Sequence, residues 1–194
     1  MISINSNPHE LQEQLVVSPL VLPDALSQEE VRKILEATTK IDISKATVDS
    51  EVNADIRSCN TGWLSYNDET AWIYGRLYDL AEYANENGFF FDPIDMVEPI
   101  MYCEYSEGDH YTWHVDIASP PPFSGRKLAV TVQLSTSDEY RGGSLMFNTG
   151  GVYTAPRSQG TIIIYPTYLL HSVEPVRAGK RKSLVFWVGG NNFR

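Results

Sequence analysis

The chain has 194 residues, 42% hydrophobic and 21% charged, which is long enough and apolar enough for one globular domain with a full core. Fifteen basic residues against 25 acidic ones give a net charge of −10. That balance disfavours broad binding to nucleic acid or to anionic membranes, since both need a basic surface. Cys59 and Cys103 form no C-x-x-C pair and imply no disulfide framework, so a reduced, intracellular, cytoplasmic setting is expected. The start, MISINSNPHELQEQ, lacks a basic stretch followed by an apolar one, so no signal peptide is expected. No apolar run approaches the roughly 18–20 residues of a membrane span.

In chain order, the first 25 residues turn from polar to apolar, with a short strand expected to end at Pro23. Ser27 followed by Glu30 is a capping box, and Val31, Ile34 and Leu35 make an apolar stripe, which together predict a helix over 28–39. Residues 40–66 read as loop and short strands. DETAWIYGRLYDLAEYANENG reads as a second helix, with Trp72, Ile73, Leu77, Leu80, Ala81 and Ala84 as its packing stripe and Asn87-Gly88 as its stop. From residue 96 the texture changes. Eight short runs rich in Val, Ile, Thr, Tyr and Phe alternate with turn signals such as SEGD, RGG, TGG and RAGK, which predicts an antiparallel sandwich or barrel.

The stretch HYTWHVDIA, residues 110–118, concentrates three potential metal ligands. On a helix, His110 and His114 would share a face as in zinc peptidases, but Tyr111 stands where that chemistry needs a glutamate. Gly108 and the prolines at 120–122 also oppose a helix. On a strand, His114 and Asp116 would project together with Val115 buried behind them. One imidazole and one carboxylate make two thirds of a facial triad for non-haem Fe(II). Of the four histidines, His9 lies in the polar N-terminal arm and His171 follows the apolar run GTIIIYPTYLL, so His171 is the candidate third ligand. His110 is expected at the surface or beside an iron ligand.

The flanking residues extend the pattern. Tyr105-x-x-Gly108-x-x-Tyr111-x-x-His114-x-Asp116 resembles the signature of the prolyl 4-hydroxylase-like Fe(II)- and 2-oxoglutarate-dependent dioxygenases. Arg141-Gly142-Gly143-Ser144-Leu145 resembles that family's G-G-E turn, with Ser144 where the family commonly has Glu. His171-Ser-Val-Glu-Pro175-Val176-Arg-Ala-Gly179-Lys-Arg181 resembles its closing motif. The resemblance covers about residues 98–188. It implies a mostly β, α+β fold: a double-stranded β-helix, or jelly roll, over 96–190, with helices of 1–95 packed on one sheet as support, all in one domain.

The resemblance also implies a site. His114, Asp116 and His171 would hold Fe(II), Arg181 would pair with the far carboxylate of 2-oxoglutarate, and Tyr105 would hydrogen-bond to the same carboxylate. The implied reaction uses O2 to hydroxylate a C–H bond and releases succinate and CO2, with ascorbate as a candidate reductant. A prolyl residue in a peptide or protein is the implied substrate. A free amino acid, a small metabolite and a modified nucleobase stay open as alternatives, as does a non-catalytic jelly-roll binding module. Tyr111, Trp113, Arg126 and Arg57 are candidates for contact with substrate. The PPPF run at 120–123 falls where the family has a variable loop over the site.

Overall fold

The computed structural model describes residues 18–47, 51–92, 94–121 and 123–191. His9 and Pro122 therefore lie outside the described residues.

The first half supplies β1 (Leu20–Leu22), α1 (Gln28–Thr38), β2 (Ser44–Lys45), β3 (Arg57–Ser58), β4 (Asn60–Leu64) and α2 (Ala71–Ala84). The capping box forms as expected. The Ser27 hydroxyl accepts from Glu30 N–H at 3.2 Å, and the Glu30 carboxylate accepts from Ser27 N–H at 2.7 Å. Such caps each contribute about 1 kcal/mol to a helix end. The second helix is shorter than the sequence pattern predicts. It runs into a single wide turn at Asn85–Phe89, and the Asn85 side chain closes it by bonding both N–H and C=O of Phe91. Ile73, Tyr74, Leu77, Ala81 and Ala84 form its buried stripe, whereas Trp72 is partly exposed.

The strands that follow are β5 (Asp95–Met96), β6 (Ile100–Tyr105), β7 (His110–His114), β8 (Arg126–Gln133), β9 (Tyr140–Gly142), β10 (Leu145–Asn148), β11 (Val152–Thr154), β12 (Ile162–Pro166), β13 (His171–Val173), β14 (Val176–Gly179) and β15 (Arg181–Gly189). The major sheet has eight strands in the order β1-β12-β8-β15-β6-β4-β2, with β5 pairing β15. The minor sheet runs β11-β10-β13-β7-β3. All of their pairings are antiparallel. This is an antiparallel sandwich, as the strand spacing predicts, and the jelly roll that the family resemblance implies.

Alternation along the central strands sorts two cores. Leu184, Phe186 and Val188 of β15, with Leu128, Val130 and Val132 of β8, face outward onto Val31, Ile34, Ile73 and Leu77 of the helices. Met101, Cys103, Tyr105, Ala129, Tyr165 and Trp187 face inward, toward Leu145, Phe147 and Val173 of the minor sheet. The helices thus support one sheet, and the site residues lie between the sheets. A third pair, β9 with β14, brings the RGG turn against the PVRAG segment. Gly142 sits there at φ +68°, and a Cβ on it would lie 2.3 Å from Pro175 O, so only glycine lets the two turns meet.

Candidate metal centre and anion site

His114 closes β7 and His171 opens β13, and the two are direct partners across that antiparallel pair. Their ring centroids are 4.1 Å apart. Asp116 follows just beyond the strand, which ends at His114. Its N–H donates to Thr167 O at 2.8 Å, and its C=O accepts from Arg126 Nη1 at 3.1 Å. The backbone of Asp116 is thereby tied to the turn that leads into His171. Val115 is 42% exposed, not buried, because the regular alternation stops with the strand.

His114, Asp116 and His171 can each offer a ligand atom within 4.8 Å of the others. His114 Nε2 lies 3.7 Å from Asp116 Oδ1, and His171 Nε2 lies 3.6 Å from Asp116 Oδ2. A first-row metal with bonds of about 2.1 Å brings its ligand atoms to about 3–3.5 Å from one another, so little movement is needed. Both Nδ1 atoms are already occupied. His114 Nδ1 bonds Thr112 O at 2.8 Å, and His171 Nδ1 bonds Leu169 O at 2.9 Å. That fixes both rings and leaves Nε2 for a metal, as metal-binding histidines require. Asp116 Oδ2 is buried with no hydrogen-bond partner. Burial, and then His171, hold the His114 imidazole down at about 4, so it stays neutral with its lone pair free. Burial pushes the Asp116 carboxyl up, but His171 and His114 outweigh it and the group ends below its ordinary range. The donor set fits a metal.

Tyr111 and His114 are three residues apart, which in a regular strand sets them on opposite faces. A bulge lies between the pairings His114–His171 and Tyr111–Val173. The extra residue turns both rings inward, where they stack at 3.4 Å and 16°. Trp113 is left exposed. His110 is half-buried, bonds Gly108 O and Asp55 O at 3.3 Å, and stands apart from the three-residue cluster.

Deeper between the sheets, Arg181 is 2% exposed. Nη1 donates to Ser183 Oγ at 3.3 Å and Nη2 to Gln133 Oε1 at 3.1 Å, while Nε has no partner. No carboxylate lies within ion-pair distance of it among the described residues. A buried guanidinium without a counter-ion is costly, and this one is preorganised for an anion such as a carboxylate. Tyr105 is its partner across β6 and β15, with the guanidinium 5.4 Å from the ring centroid. Burial pushes the Tyr105 phenol well above its usual range, so it remains a neutral donor.

Arg126 is fully engaged. Nε and Nη2 donate to Glu98 at 2.5 and 2.7 Å, and the guanidinium stacks 3.7 Å above the Trp187 ring. Trp187 reaches the Asp116 carboxyl with its indole N–H, in a contact short of regular hydrogen-bond geometry. Arg57 points inward from β3, across Tyr111. Sequence reasoning did not single out Glu98, Gln133, Tyr165 or Trp187. The Tyr165 hydroxyl, kept protonated by burial, sits 3.3 Å from His171 Nε2. Its signal was modest: it is the one polar-tipped residue in the run IIIYP, on the inward parity.

Residues 100–189 match the profile of the 2OG-Fe(II) oxygenase superfamily. A PKHD-type hydroxylase of Cupriavidus metallidurans is 30% identical over 176 residues, covering 86% of this chain and 76% of that protein. A PKHD-type hydroxylase of a Synechococcus strain is 39% identical over 101 residues, covering 50% of this chain; this chain thus spans under half, 45%, of that relative's length. Among solved structures, a Pseudomonas putida prolyl-4-hydroxylase superposes with a TM-score of 0.72 at 17% identity, over 94% of this chain and 99% of that one. A Trichoplax adhaerens prolyl hydroxylase, solved with a peptide fragment of the hypoxia-inducible factor oxygen degradation domain, gives 0.75 at 16% identity, over 94% and 90%. At such identities the structures establish the shared fold.

Proposed function

The chain belongs to the 2OG-Fe(II) oxygenase superfamily, and from that premise we propose that it hydroxylates a prolyl residue in a peptide or protein, with His114, Asp116 and His171 holding Fe(II) and Arg181 and Tyr105 holding 2-oxoglutarate. The observation that carries this reading is the pairing of two features between the same sheets. One is a two-histidine, one-carboxylate cluster, and the other is a buried guanidinium with no counter-ion among the described residues. A binding module has no need of both.

Iron, 2-oxoglutarate and O2 together supply the oxidation that converts a C–H bond to C–OH, leaving succinate and CO2. The protein's part is position and exclusion. The two Nδ1 bonds fix the imidazole planes, and the Asp116 backbone is tied to the turn before His171. Arg181 anchors a carboxylate away from the metal ligands, so that the other end of the same molecule reaches them. Residues 1–95 and 96–190 act as one catalytic unit, because the helices of the first half cover the outer face of the sheet that carries Arg181 and Tyr105.

A prolyl substrate is supported by the prolyl hydroxylases that share the fold. The net charge of −10 disfavours nucleic acid. No helix among the described residues is long and apolar enough to cross a membrane. A reduced intracellular setting and stimulation by ascorbate are part of this proposal, the former supported by the free, buried Cys59 and Cys103. The test is incubation with proline-containing peptides, Fe(II) and 2-oxoglutarate. Equal yields of succinate and of a peptide heavier by one oxygen at proline support the reading. Succinate without any modified proline assigns the activity to another substrate.

A further inference from the structure

Between the sheets there is a second inward-facing arginine that the proposed chemistry does not use. Arg57 on β3 pairs with Tyr111 on β7, and its guanidinium lies 4.8 Å from the Tyr111 ring centroid. From there it reaches across to the major sheet. Its Nη2 meets only the Met101 thioether at 3.7 Å and the Cys103 thiol at 3.8 Å, which are weak acceptors. Its Nε is buried without a partner. None of the ion pairs among the described residues includes Arg57.

Its depth separates it from Arg181. On β15, Arg181, Ser183 and Val185 pair in turn with Tyr105, Cys103 and Met101 on β6, and Trp187 follows beside Asp116. Arg181 therefore stands at the Tyr105 rung, and Arg57 at the Cys103 and Met101 rungs, closer to Asp116. Tyr111, which Arg57 overlies, stacks on His114. A largely desolvated guanidinium with no anionic partner among the described residues, this near the metal ligands, is made for an anion delivered from outside.

We propose that Arg57 is a second carboxylate-binding group of the site, acting beside the metal ligands while Arg181 serves the distal end. The inference rests on the proposed dioxygenase reading and narrows its substrate. The carboxylate comes either from the keto-acid end of 2-oxoglutarate or from the terminus of the substrate. In the second case the hydroxylated prolyl residue stands at the C-terminus of its peptide.

The experiment is calorimetric titration under anaerobic conditions of the Fe(II)-loaded wild type, Arg57→Gln and Arg57→Lys, with circular dichroism confirming that each is folded. The probes are 2-oxoglutarate and then, with it present, a proline-ended tripeptide as free acid and as carboxamide. Loss of a charge-assisted contact should weaken binding roughly ten- to a hundredfold, with partial recovery in the lysine variant. A weakening of that size for 2-oxoglutarate in Arg57→Gln supports the proposal and assigns the carboxylate to the co-substrate. Unchanged 2-oxoglutarate affinity, with a wild-type preference for acid over amide that Arg57→Gln abolishes, supports it and assigns the carboxylate to the substrate. Unchanged 2-oxoglutarate affinity with no acid preference in the wild type, or with a preference that survives in Arg57→Gln, overturns it. Failure of the wild type to bind 2-oxoglutarate at all defeats the dioxygenase reading instead, and the acid–amide pair alone then decides the role of Arg57.

Discussion

His114 and His171 stand opposite each other on neighbouring antiparallel strands, and each donates Nδ1–H to the carbonyl two residues before it in sequence. The strand register, rather than either residue alone, sets the distance between the two Nε2 atoms that face Asp116. Losing an outer partner of a metal ligand commonly costs ten- to a hundredfold in metal affinity, and losing the ligand costs more. His171→Ala and His114→Ala should each weaken Mn(II) or Fe(II) binding by more than about a hundredfold while the far-ultraviolet circular dichroism is kept. Wild-type metal affinity in His171→Ala would remove that residue from the centre.

Arg181 makes a separate prediction. Its guanidinium is buried against Gln133 and Ser183 with Nε left free. Arg181→Ala should raise the KM for 2-oxoglutarate roughly ten- to a hundredfold with a smaller effect on kcat, since it removes a contact made before the chemistry. Arg181→Lys should fall between, because an ammonium keeps the charge but not the planar fork. An unchanged KM in Arg181→Ala would exclude this residue from the anion site.

Arg126 is the hub that links Glu98, Trp187 and the Asp116 backbone. Breaking a buried ion pair by removing one partner costs about 3–5 kcal/mol, which for a chain of this size lowers the melting temperature by about 10 °C. Glu98→Gln should show a loss of that order, and metal affinity should fall with it because Asp116 is less firmly held. An Arg126→Lys variant that melts like the wild type would show that the forked contact carries no such load.

Acid should destabilise the metal-free protein in a defined window. His114 titrates at about 4 in the fold, lowered chiefly by burial and then by His171, against an ordinary value of 6.5. Below 6.5 the unfolded chain takes up a proton that the folded chain refuses. Stability therefore falls as pH drops from 6.5 toward 4, by at most about 3 kcal/mol, and less to the extent that water screens the ring. Asp116, already lowered below 3.8, keeps its contribution throughout that window and loses it only at more acid pH. Urea midpoints of the metal-free protein at pH 7.5, 6 and 5 should decline in order, and His114→Gln should flatten the decline. Equal midpoints at all three values would contradict the buried, neutral His114.

What was legible in the sequence was local or unusually sparse. The capping box at Ser27 and Glu30 needs only adjacent turns of one helix. His114 and Asp116 are two residues apart, and with four histidines in the chain the search for a third ligand had few places to go. What stayed hidden depends on which strand lies beside which. The bulge that turns Tyr111 and His114 to one side arises only when β7 meets β13. The Glu98 partner of Arg126 is 28 residues away, and the tether from Asp116 to Thr167 spans still more chain. Spacing puts Trp72 in the packing stripe of its helix, yet the helix phase turns it partly to solvent and buries Tyr74 beside Ile73. Local periodicity finds faces, whereas pairing partners come from the assembled sheets.

The measurement that bears most directly on the central claim is an anaerobic titration of the metal-free protein with Fe(II) and then with 2-oxoglutarate, followed in the visible spectrum. A charge-transfer band should appear only when both are present, saturate at one equivalent of iron, and be absent in His171→Ala. No band in the wild type, or a band that persists undiminished in His171→Ala, would contradict the assignment of His114, Asp116 and His171 as the iron site.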